Sequence, residues 1–130
     1  MGEQRVLIEW YGDREESIAD VEADRDRLQQ ADASAELEVL EPMGVLPVVA
    51  FIVGSIAVVA LVREISDLVC RIRRHGIIID ARTQALKIRK TVDLPGGTVI
   101  VIARDGASTT YNVCDGKVNL ADLINAATGS

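Results

Sequence analysis

The chain has 130 residues, almost half of them apolar, but only one Phe, one Trp and two Tyr, so a single domain with an aliphatic core is expected over residues 1–130. Its formal charge of -6 argues against a general affinity for nucleic acid. Two cysteines and one histidine are too few for a disulfide framework or a zinc site, so Cys70 and Cys114 are read as reduced apolar fillers in a cytoplasmic protein.

Charge is unevenly spread along the chain. Residues 1–44 carry thirteen acids against four bases, and residues 45–90 eight bases against three acids. No basic segment followed by an apolar core lies near Met1, so no cleavable leader is expected.

In chain order, Arg5–Tyr11 reads as a strand rich in Val, Ile and aromatics. Asp13 with Glu16 resembles a capping box, and a helix is expected from Arg14 to about Gln30, with Ile18, Val21 and Leu28 inward. Leu37 and Val39 alternate with Glu36, Glu38 and Glu41, giving a second strand with one wet side. These elements form an acidic βαβ part over residues 1–44, ahead of an apolar helix in 45–76 and hairpins with a last helix in 77–130.

From Val45 to Val62 no residue is charged. The pattern then continues as a one-sided stripe, Ile65, Leu68, Val69 and Ile72, and Gly76 follows the arginines. One long helix is therefore expected from Val48 to His75, roughly 42 Å at 1.5 Å per residue. Ala50, Gly54 and Ala57 give it a narrow face suited to close backbone approach. A helix that is apolar all round needs cover on every side, so self-association is expected through Ala50, Gly54, Ala57, Val58 and Leu61. Lipid is the alternative cover, giving a single-pass membrane protein with a cytoplasmic C-terminal β-domain.

Beyond Gly76 the pattern turns extended. Ile77-Ile78-Ile79, Leu86–Val92, Thr98–Ala103 and Ala107–Val113 read as strands, separated by turns that include Asp93–Gly97 and Asp105-Gly106. Asn119 caps a final helix, Leu120–Ala127. The expected fold is an α+β two-layer sandwich with a mixed sheet, in the order β-α-β-α-β-β-β-β-α.

No phosphate loop, nucleophile with a placed base, or metal-ligand spacing is present, so no catalytic residue, metal or cofactor is expected. The basic residues Arg71, Arg73, Arg74, Arg82, Lys87, Arg89 and Lys90 lack interleaved aromatics for stacking on bases. An acidic surface around Glu15, Glu16, Asp20 and Asp24 is expected to meet a basic one around Arg73, Arg74, Lys87 and Arg89 on another copy, steering assembly.

The long aliphatic segment Val48–Arg74, the turn Leu94-Pro95-Gly96-Gly97-Thr98 and the hairpin from Thr98 through Asp105-Gly106 resemble small actinobacterial proteins of the effector-associated constant component type. That resemblance implies a non-catalytic α+β adaptor in a bacterial conflict system, binding itself and another protein.

Overall fold

The computed structural model describes residues 4–12, 16–40, 50–72, 76–91 and 93–128. Its elements are β1 (Arg5–Tyr11), α1 (Ile18–Ala31), β2 (Glu36–Leu40), β3 (Phe51–Ala57), α2 (Val58–Asp67), a π-helical turn (Leu68–Ile72), β4 (Gly76–Asp80), β5 (Leu86–Thr91), β6 (Thr98–Ile102), β7 (Ser108–Asn112) and α3 (Leu120–Ala127). The fold is α+β, with three helices against a seven-stranded mixed sheet in the order β2-β3-β1-β5-β4-β6-β7. β1 pairs antiparallel with β3 and parallel with β5; β4 pairs parallel with β6.

Strand alternation assigns the two faces. Ile8 and Trp10 of β1 are cross-strand neighbours of Leu86 and Ile88 on β5, and Trp10 also of Ile52 on β3. Ile79 joins that row on β4 and Val101 on β6, and all these side chains are buried. They meet Val21 and Leu28 of α1, Leu61 and Ile65 of α2 and Ile124 of α3 in one core. All three helices thus cover the same side.

The single long helix expected from Val48 to His75 is not formed. Residues 51–57 are a strand inside the sheet, and the helix begins only at Val58. Phe51-Ile52-Val53 and Ile56 are β-branched or aromatic and suit a pleated surface, whereas Gly54-Ser55 weakens a helix. A continuous apolar run fits a doubly flanked strand as well as a helix. The remaining helix is one-sided: Val58, Ala60, Leu61 and Ile65 are buried, while Val59 is 60% exposed. The cover that the apolar run requires comes largely from its own chain.

A Cβ on Gly54 would lie 1.8 Å from the Glu36 carbonyl oxygen, so the β2–β3 pair closes only around glycine. Gly54→Ala is expected to push β2 outward and cost about 1–3 kcal/mol, the usual range for overpacking. Urea unfolding followed through Trp10 measures it; an unchanged midpoint would show that β2 yields freely.

α1 starts at Ile18, four residues later than the Asp13–Glu16 reading placed it. Ser17 is the N-cap: its Oγ accepts from the Asp20 amide at 3.3 Å, and Asp20 Oδ2 accepts from the Ser17 amide at 2.9 Å. Val21 and Leu28 face inward as expected, but Ile18 is exposed. At the other end of α1, the buried Asp32 carboxylate accepts from Ser34 Oγ at 2.7 Å, from the Ala57 amide at 2.9 Å and from Arg5 at 3.2 Å. These bonds, led by that from Ser34, hold its carboxyl below the ordinary carboxylate range. They also tie the α1–β2 turn to the junction of β3 with α2.

Cys70 and Cys114 are not free thiols. They form a disulfide that joins the π-helical turn to the segment between β7 and α3. Their separation of 44 residues hid the pair, because sequence spacing alone does not show which loops the fold brings together.

Candidate interaction surface

The side of the sheet opposite the helices carries no helix among the described residues. Two rows of side chains cross it. One runs Leu40, Phe51, Tyr11, Arg89, Ile78, Ile100, Thr110, each the register neighbour of the next. The adjacent row runs Glu38, Val53, Glu9, Lys87, Asp80, Ile102, Ser108. Leu7, on the same face of β1, is 47% exposed. The face thus joins an aromatic and aliphatic row to a charged one.

Its centre is ordered by specific contacts. The Tyr11 and Phe51 rings stack with centroids 5.1 Å apart, and the Arg89 guanidinium lies 5.8 Å from the Tyr11 centroid. The Tyr11 hydroxyl donates to Glu9 Oε1 at 2.6 Å. Partial burial, then the bond and the charge of Glu9, push the Tyr11 phenol up to about 12. The folded state favours the neutral phenol, so this contribution to stability is complete below pH 10 and is lost as pH rises through 12. Ultraviolet titration is expected to show one tyrosine ionising near pH 12, and Tyr11→Phe to abolish that component. Ionisation of Tyr11 near 10 would show that the Glu9 bond does not persist.

The self-association residues inferred from the sequence fall elsewhere. Ala50, Ala57, Val58 and Leu61 are buried within the chain, and Gly54 lies inside the sheet against β2. The helical seam between copies is therefore not available from these side chains.

The charged residues divide into three groups. Glu15, Arg73 and Arg74 lie outside the described residues. Glu16, Asp20 and Asp24 are engaged within the chain. Lys90 is 2% exposed; its Nζ bonds Asp24 Oδ2 and lies 2.6 Å from Glu16 Oε1, while the Trp10 indole N–H donates to Asp24 Oδ2 at 3.3 Å. Asp20 caps α1. Lys87 and Arg89 do lie together, on the open face.

Sequence reading placed Glu36 and Glu38 on a wet strand side but missed Phe51, Ile78 and Ile100 as their companions on one face. The alternation of Leu7, Glu9 and Tyr11 was visible, but their neighbours could be named only once β3 was known to be a strand. Among the described residues no group of three or more His, Cys, Asp or Glu side chains is placed to hold a metal ion. Among them, too, no helix is long and apolar enough to cross a membrane.

No protein-family model matches the chain, and no curated protein or solved structure matches it.

Proposed function

We propose that the chain is a non-enzymatic protein–protein interaction module that self-associates through the open face of its sheet. The observation that carries this reading is the row Leu40, Phe51, Tyr11, Arg89, Ile78, Ile100, which no helix among the described residues covers and which charge borders. A second copy is the occupant that the charges favour. In the order β2-β3-β1-β5, the acidic strand β2 and the basic strand β5 are equidistant from the β3–β1 pair. A two-fold axis along that pair keeps each row at its own height, so Glu38 of one copy lies over Lys87 of the other, with Arg89 on the diagonal one row along. Charge then sets orientation and rate, while the aromatic and aliphatic row supplies most of the affinity. This replaces the helical acidic surface inferred from the sequence with β2.

The adaptor role implied by the sequence resemblance is part of this reading and adds a second protein partner. The cytoplasmic setting expected from two reduced thiols is not retained, because the thiols are joined. Light scattering on the purified chain tests self-association. Arg89→Glu is expected to weaken it at least tenfold, about 1.4 kcal/mol, and adding Glu38→Arg to restore much of it. A wild-type monomer at micromolar concentration, or association indifferent to Arg89→Glu, overturns the open face as the contact.

A further inference from the structure

The sheet has two edges, and they are treated differently. β2 carries Glu36 and Glu38, the kind of charge that blunts an edge against other strands. β7 carries none: Ser108-Thr109-Thr110-Tyr111-Asn112 has no charge and no proline, and among the described residues no strand pairs with its outer side.

The backbone shows which groups that edge presents. The Val113 amide donates to Gly97 O, and the Ala103 amide to Ala107 O, both at 2.9 Å. Alternation along the β6–β7 ladder then makes Val99 with Tyr111 and Val101 with Thr109 the bonded pairs. The amides and carbonyls of Ser108, Thr110 and Asn112 therefore point away from β6.

We infer that β7 pairs antiparallel with β7 of a second copy, centred on Thr110. The strand is self-complementary in that register. Thr110 meets Thr110, Ser108 meets Asn112, and Thr109 meets Tyr111, which gives threonine–threonine, hydroxyl–amide and β-branched–aromatic neighbours. The centring is fixed by the backbone as well, because Thr110, Ser108 and Asn112 are the outward-bonding residues, and about six ladder hydrogen bonds form. On the helix side, a groove of about 180 Å³ lined by Thr109, Tyr111, Leu123 and Ala126 lies beside the seam. The second copy's Tyr111, standing opposite Thr109, is placed to enter it. This contact is made by the outer backbone edge of β7, at the end of the rows that cross the open face, and needs no partner seated on that face.

Cysteine cross-linking in an Arg89→Glu background tests the register with the open-face contact weakened. Opposed Cα atoms in a bonded antiparallel pair are about 5.5 Å apart, within disulfide range. Thr110→Cys is expected to give a covalent dimer under mild oxidation, with the bond mapped between the two introduced thiols. Ser108→Cys, which faces Asn112, is expected to give none. Thr110→Lys keeps every ladder bond to β6 and sets two ammonium groups against each other, so association in that background should weaken at least about tenfold. Equal cross-linking at 108 and 110, no cross-link at 110, or unchanged association of Thr110→Lys overturns the proposal.

Discussion

Lys90→Met is expected to destabilise the fold by about 3–5 kcal/mol, the cost of removing one partner from a buried ion pair. The lysine amine lies between Glu16 and Asp24, beneath α1 and against Trp10. Methionine keeps much of the stem's volume and removes the charge, leaving two carboxylates facing each other out of water. The loss should fall mainly in the docking of α1 on β1 and β5. Urea denaturation read through Trp10 fluorescence measures it, since that indole donates to Asp24. Adding Glu16→Gln and Asp24→Asn to Lys90→Met should recover part of the loss, because neutral amides tolerate burial without a counter-charge. A loss below 1 kcal/mol, with no recovery, would mean that the three charges do not act together.

Removing the disulfide by Cys70→Ser with Cys114→Ser is expected to cost about 4 kcal/mol, from loop-closure entropy for a separation of 44 residues. The bond encloses β4, β5, β6 and β7 in one covalent loop and anchors the end of β7 to the turn after α2. Cys114 is exposed, so a small reductant reaches it without unfolding the chain. Thermal unfolding of the wild-type chain with and without reductant should show the same difference as the double substitution. Equal melting temperatures in the two conditions would show that the bond constrains little. Under reducing conditions the chain loses the bond and its stabilisation together.

Much of the fold was legible because local chemistry and final structure agree. β1 and α3 match their expected bounds, Arg5–Tyr11 and Leu120–Ala127, since a β-rich run and an Asn119 cap need no distant information. β3 was not legible. Val45–Val62 has no charged residue, and a lone Ser55 reveals no period, so whether such a run is strand or helix depends on whether two other strands flank it. The buried acids were misread for a related reason. Asp24 and Glu16 look like a solvated helix face until Lys90, 66 residues beyond Asp24, is placed beneath them. The open face suffered most: its row draws one residue from each of the seven strands, so it exists only in the assembled sheet.

The position of β1 has a consequence during synthesis. It leaves the ribosome well before its parallel partner β5, which begins only at Leu86, and Ile8 must wait for it. β3 can cover the other side of β1 much sooner. At about 5–20 residues per second the unpaired side of β1 stays open for roughly 4–15 s. Through that interval a nascent βαββ unit carries Ile8 and Trp10 beside a bare strand edge. Ribosome-bound chains halted before and after residue 91 should therefore differ sharply in their affinity for a chaperone that holds extended apolar segments, with the shorter chains held and the longer ones released.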